Sequence, residues 1–132
     1  MLYLDANIFV FSILNTENYG NKAEAILQKI QRGEEKAMTS VLTIDEVFWA
    51  VKRNRGIEKA LEASQALLAF PNLEVVAPNR EIAFMALHII EEFRLDPRDA
   101  FHAATAIIEK ADCMVSNDLH FDRVKNLKRR GL

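Results

Sequence analysis

Apolar residues recur along the chain at two periods. Met1 to Leu4 is a short apolar run closed by Asp5, and from Ala6 onward Ile8, Phe9, Phe11, Ile13 and Leu14 fall at helical spacing. Asn21 to Gln31 keeps Ala23, Ile26, Leu27 and Ile30 on one face, with Gly33 placed to end a helix. Ala37 to Val41 reads as a second strand. A helix is expected from Thr43 to Asn54, and another from Ile57 that ends before Pro71. Leu73 to Ala77 is expected as strand three, Glu81 to Phe93 and Arg98 to Ala111 as helices, and Cys113 to Val115 as a short buried strand that enters Ser116, Asn117 and Asp118. A last small strand is expected near Leu127, and Asn15 to Asn21 reads as an acidic, amide-rich loop.

Short strands alternating with longer helices predict an α/β fold, a three-layer α/β/α sandwich around a central parallel sheet of about four to five strands. No repeat, low-complexity tract or flexible linker interrupts the pattern, so residues 1 to 132 are expected to form one domain. In such a sheet the right-handed crossovers bring the carboxyl ends of the strands to one edge, where ligands sit. The acids at those ends therefore matter more than their number.

Asp5 follows the first strand directly, and Asp118 follows Cys113 to Val115 within three residues. Glu46 lies in the first turn of the helix after the second strand, and Asp99 in the first turn of the helix opened by Asp96 and Pro97. Each also has a structural explanation. Thr43 to Glu46 matches a capping box, and Asp96 to Asp99 matches an N-cap, a first-turn proline and an acid at the positive end of a helix. Asp5 could equally cap the helix after it, and Asp118 a turn before Leu119. Chemistry rests on convergence: carboxylates about 5 Å apart repel by about 3 kcal/mol per pair at an effective dielectric near 20. A proton or a divalent cation relieves that repulsion. Oxygen donors favour Mg²⁺ or Mn²⁺, one ion or two, over zinc, for which no cysteine or histidine set has suitable spacing. His88, His102 and His120 read as secondary.

Charge limits the partners. With a formal net charge of −2 there is no overall positive field for nucleic acid, so any binding must use local patches: Lys52, Arg53 and Arg55; Arg94 with Arg98; or Lys125, Lys128, Arg129 and Arg130. The lone Cys113 can make neither a disulfide nor a zinc site within the chain and is expected in the core of a cytoplasmic protein. No apolar run is long enough to span a membrane.

The residues resemble the PIN domain family. Leu4-Asp5-Ala6-Asn7-Ile8 is similar to its opening motif, Thr39 to Glu46 to the second, Asp99 to Ala106 to the third and Ser116 to Asp122 to the fourth. The resemblance spans nearly the whole chain. It implies a metal-dependent endoribonuclease with Asp5, Glu46, Asp99 and Asp118 as catalytic, metal-binding acids and Asp122 as a further candidate ligand. It implies supporting polar roles for Asn7, Ser40 and Ser116, which position the acids or a water. Single-domain size is similar to the toxins of toxin–antitoxin pairs, implying an RNA substrate, a small antitoxin partner and a homodimer. A housekeeping RNA-processing nuclease and a catalytically silent interaction module are the alternatives. Phe9, Phe48 and Trp49 could serve an interface or the core, and Trp49 is expected in the core. Glu17, in the loop before Asn21, is expected near the mouth of the site, where it would repel phosphate.

Overall fold

The computed structural model describes residues 1–132. Five strands form one parallel sheet: β1 (Leu2–Leu4), β2 (Ala37–Ser40), β3 (Leu73–Val76), β4 (Cys113–Val115) and β5 (Arg129–Arg130), in the order β3-β2-β1-β4-β5. Six α-helices connect or cover them: α1 (Ala6–Leu14), α2 (Glu17–Gln31), α3 (Val41–Arg55), α4 (Ile57–Leu68), α5 (Arg80–Phe93) and α6 (Pro97–Ile108). A 3₁₀ turn, Leu119–Arg123, follows β4.

Alternation along the strands divides the interior into two cores. Leu2 and Leu4 face one side, with Ala37 and Val115, and pack against Ile8, Phe9, Ile30, Val47, Val51 and Leu67 of α1 to α4. Tyr3, Met38, Val76 and Met114 face the other side and meet Ile82, Ala86 and Ile89 of α5 and the alanines of α6. These are the three layers of the expected α/β/α sandwich. Ala100, Ala103, Ala104 and Ala106 present little bulk, which lets α6 lie close to the sheet.

The chain begins in the middle of the sheet. It steps outward to β2 and β3, then returns past β1 to add β4 and β5 on the other side. The reversal falls between β1 and β4, whose carboxyl ends are Leu4 and Val115 in register. In open α/β sheets that switch point leaves a crevice.

Several boundaries differ from expectation. The segment Asn15 to Asn21 is not a loop: α2 begins at Glu17, after Asn15 in the left-handed region at φ 54°. Asn18, Gly20 and Asn21 are poor helix formers, but tertiary contact overrides them. Tyr19 stacks on Phe11 at 5.3 Å, and a side chain at Gly20 would meet the Phe11 carbonyl oxygen at 2.9 Å. Glu17 lines a recess with Thr16, Asn18, Tyr19 and Lys22, none of which lines the groove beside Glu46. Helix α3 starts at Val41 rather than Thr43, because the Ser40 hydroxyl caps it by accepting from the Leu42 N–H at 3.1 Å. Helix α6 closes at Ile108, short of Ala111, and the last strand, expected near Leu127, is Arg129–Arg130. Cys113 is only partly buried, at the fringe of the α1 to α4 core.

Candidate active site

Asp5 sits at the switch point because β1 ends there and α1 begins. Its Oδ1 accepts from the Ala6 N–H at 2.8 Å, so it caps α1, while Oδ2 accepts from the Ser116 hydroxyl at 2.6 Å, across 111 residues of chain. Ser116 is buried at the end of β4 and is held in turn. Its oxygen accepts from the Asp118 N–H at 3.0 Å and from Asn7 Nδ2 at 3.4 Å. One serine therefore ties Asp5, Asn7 and Asp118 together. The Asn7 Oδ1 is buried without a partner, an acceptor left free beside the acids.

Glu46 reaches the same edge from α3, but not as the capping box anticipated. Thr43 is buried and shares a 2.7 Å hydrogen bond with Thr39, whose own hydroxyl donates to the Leu4 carbonyl at 2.7 Å. With the cap position taken by Ser40, Thr43 lies inside the helix and the capping motif is out of register. Glu46 instead meets the imidazole of His102, Oε1 to Nε2 at 2.5 Å, and the other ring nitrogen pairs with the Tyr3 hydroxyl at 2.6 Å. His102 is completely buried. It is thus no secondary residue, and its place on a helix face otherwise lined by small apolar residues is the sequence signal for that role.

Asp99 lies in the first turn of α6, half-buried, with no cap hydrogen bond made by the neighbouring Asp96. Asp118 caps the 3₁₀ turn, Oδ1 accepting from the His120 N–H at 2.9 Å, and the same oxygen lies 3.0 Å from His120 Nδ1. Oxygen or nitrogen donors of Asp5, Glu46 and His102 fall within 4.8 Å of one another, and those of Asp99, Asp118 and His120 do the same.

Asp99 joins the two groups electrostatically. Its carboxyl is raised to about 6 by burial, then by the charges of Asp118 and Asp5 and, less, of Glu46, against the opposing pull of His102. Burial also raises Asp5, although His102, the Ser116 hydroxyl and the Ala6 N–H pull the other way. For His102 burial acts downward, but the hydrogen bond and charge of Glu46, with Asp5 and Asp99 behind it, outweigh burial and raise it. The Tyr3 phenol is pushed well up by burial and by Asp5 and Glu46, so it keeps its proton.

Asp122 is not drawn into either group. Both its oxygens accept from the Arg129 guanidinium, at 2.8 and 3.1 Å, while Arg129 Nη1 donates to the Ser116 carbonyl at 2.9 Å. This candidate fifth ligand is thus engaged in an ion pair with Arg129. Trp49 also departs from expectation: it is 55% exposed, with Lys52 Nζ 5.3 Å from its ring centroid, so it is no core residue.

The PIN domain family model matches residues 2–127. The chain belongs to the PIN domain family. No curated protein sequence matches it. Among solved structures, the chain is similar to VapBC2 from Rickettsia felis, solved bound to a promoter DNA fragment, with 22% identity, TM-score 0.74 and coverage of 99% of this chain and 98% of that one. DNA-bound VapBC from Salmonella typhimurium gives 20% identity and TM-score 0.77 over 98% and 96% of the two chains. VapC20 of Mycobacterium tuberculosis, a sarcin-ricin loop cleaving toxin, gives 13% identity and TM-score 0.78 over 95% of each. At these identities the likeness is one of fold. The PIN fold accounts for the sheet order and for where its acids gather, and the acid set of this chain is able to bind a divalent metal.

The donor chemistry suits Mg²⁺ or Mn²⁺. Carboxylate oxygens predominate, the Asn7 Oδ1 is an orphaned acceptor at the edge, and the carboxyl of Asp99 is raised by burial and by its acidic neighbours, whose repulsion a cation would relieve.

Proposed function

We propose that this protein is a metal-dependent endoribonuclease that hydrolyses RNA phosphodiester bonds, with Asp5, Glu46, Asp99 and Asp118 as its metal-binding acids. The observation that carries the proposal is that the four acids, from different parts of the chain, gather with His102 and His120 in two groups, within each of which the donor atoms lie within 4.8 Å of one another. Held by these acids, one or two Mg²⁺ or Mn²⁺ ions would supply a water of lowered pKa and stabilise developing negative charge. Asp122 is left out of the set.

The protein's own contribution is placement. Ser116 and the Ala6 N–H fix both oxygens of Asp5, and Asn7 braces Ser116. Ser40 caps α3 and so sets the start of the helix that delivers Glu46. His102, held by Tyr3, orients Glu46 from within. Because Tyr3, Ser40, His102 and Ser116 are buried, the acids are held in place before substrate arrives.

We further propose that it is the toxin of a toxin–antitoxin pair, with a small antitoxin as its partner. Support comes from its fold-level similarity to VapBC2 of Rickettsia felis and VapBC of Salmonella typhimurium over almost the full length of both chains.

The test is cleavage of RNA by the purified protein with Mn²⁺ and with EDTA, alongside Asp5→Asn. The parent is expected to cut only with the cation, and Asp5→Asn to lose cutting. An Asp5→Asn protein as fast as the parent removes that acid from the site. Growth arrest on expression alone, relieved by a co-expressed small neighbour, is the expected result for a toxin. Unimpeded growth in both cases favours an RNA-processing role.

A further inference from the structure

Beyond Glu46, helix α3 carries a line of side chains away from the acids. Glu46, Trp49 and Arg53 stand at i, i+3 and i+7, and so share one face of the helix. About 4.5 Å of helix axis separates Glu46 from Trp49, and about 6 Å separates Trp49 from Arg53. All three line a single groove of ≈ 560 Å³, together with Asn7, Ala50 and Arg98.

The chemistry of that groove is uneven in an informative way. Trp49 is 55% exposed, the largest aromatic surface in the chain left uncovered beside the site. Lys52 leans over its ring at 5.3 Å, and Arg53 makes no ion pair. Arg98 spans the wall between Asp45 at 3.8 Å and Glu46 at 4.0 Å. A ring more than half exposed, with Lys52 over one side of it and the unpaired Arg53 a turn farther on, is a combination that holds single-stranded nucleic acid: a base stacks on the ring and phosphates meet the cations. An apolar protein segment would use the ring but leave Arg53 and Lys52 desolvated without anions.

We infer that this groove is a subsite for one unstacked nucleotide of single-stranded RNA, its base lying on Trp49 and its phosphate meeting Arg53, with Lys52 beside the ring, adjacent to the phosphate that is cut. It rests on the nuclease function proposed above. The volume accommodates one nucleotide, and the helical spacing places base and phosphate contacts in order from the acids outward. The consequence is a preference for unpaired RNA at the position flanking the cut, since a base in a duplex cannot leave its stack to reach Trp49.

Trp49 is the only tryptophan, so its fluorescence reports on this position alone. Titrating the EDTA-treated protein with a short single-stranded oligoribonucleotide should quench that emission, and an abasic ribose-phosphate oligomer of equal charge should quench it far less. In cleavage assays with Mn²⁺, Trp49→Ala should raise KM for single-stranded RNA about tenfold or more with kcat within about threefold, and Trp49→Phe should recover most of the loss. Arg53→Gln should flatten the slope of log affinity against log salt by about 0.7, as expected on losing one phosphate contact. Equal quenching by the abasic oligomer, or an unchanged KM in Trp49→Ala, overturns the subsite. An unchanged KM without quenching overturns it too. If the parent cuts no RNA but bases quench Trp49, the nuclease function fails while the subsite stands.

Discussion

The imidazole of His102 lies beneath Glu46, its Nε2 2.5 Å from the glutamate oxygen, and is itself wholly inside the protein. With the Tyr3 phenol kept protonated by burial, Nε2 carries a proton toward Glu46 whether the ring is neutral, with Nδ1 accepting from Tyr3, or charged. Glu46 is thereby fixed at the edge of the site while only 20% of its side chain faces solvent. The pair joins the two cores across the sheet edge.

His102→Ala should therefore be among the most damaging substitutions outside the four acids. It leaves a void, an unpaired buried phenol and a carboxylate without its partner, for an expected loss of about 3 kcal/mol or more. Tyr3→Phe removes only the hydroxyl and should cost about 1–2 kcal/mol. Urea unfolding of the two variants checks the ranking, and a His102→Ala protein as stable as Tyr3→Phe would contradict the buried bridge.

Neutralising different acids should move stability in opposite directions. Asp99→Asn removes a carboxyl raised by burial and by the neighbouring acids and breaks no cap hydrogen bond, so the metal-free protein should melt higher than the parent. Glu46→Gln weakens the bond to His102 and should melt lower. Thermal melting in EDTA reads both signs, and in Mn²⁺ the Asp99→Asn variant should show a smaller upward shift than the parent.

The metal-free protein should lose stability as pH rises through the weakly acidic range. A folded-state pKa raised from 3.8 to about 6 at Asp99 means the native state holds that proton more tightly than the unfolded chain. Between those values the native state binds more protons, so stability falls with pH and stays lower above 6. Asp5, also raised, acts with the same sign. His102, raised above 6.5, contributes stability present at low pH and lost as pH passes its folded value, again in the same direction. Denaturation midpoints from pH 4 to pH 8 in EDTA should decline steadily, and saturating Mn²⁺ should flatten the decline by favouring the ionised acids. A rising profile in EDTA would contradict the crowding.

Asp122→Asn should separate a ligand from a surface partner. Both oxygens of Asp122 are engaged by Arg129, so the substitution should leave Mn²⁺ affinity within about twofold of the parent, whereas Asp118→Asn should reduce it by about tenfold or more. Isothermal titration with Mn²⁺ gives the comparison directly. Equal losses in the two variants would return Asp122 to the metal set.

Sequence periodicity located four of the strands and all six helices, and placed the fifth strand two residues early, because buried faces of strands and helices repeat at periods that residue type alone reveals. It missed the start of α2, where poor helix formers are held by the packing of Tyr19 on Phe11 and of Gly20 against α1. It placed Trp49 inside on hydrophobicity, whereas the helix face that Trp49 occupies looks into an open groove. For the acids, spacing identified the candidates but also suggested capping for each one. That ambiguity is local by nature, since a cap and a ligand need the same residue at the same end of a helix.

What the chain determines by itself is the succession of short strands and amphipathic helices, and from it a parallel sheet with acids at the strand exits. What only the tertiary structure decided is which partners those acids have. Asp5 meets Ser116, Glu46 meets His102 and Asp122 meets Arg129. The physical reason is distance. Local pattern governs contacts within a turn or a strand, whereas the first two of these pairs join residues 111 and 56 positions apart and exist only once the crossovers have closed the sheet.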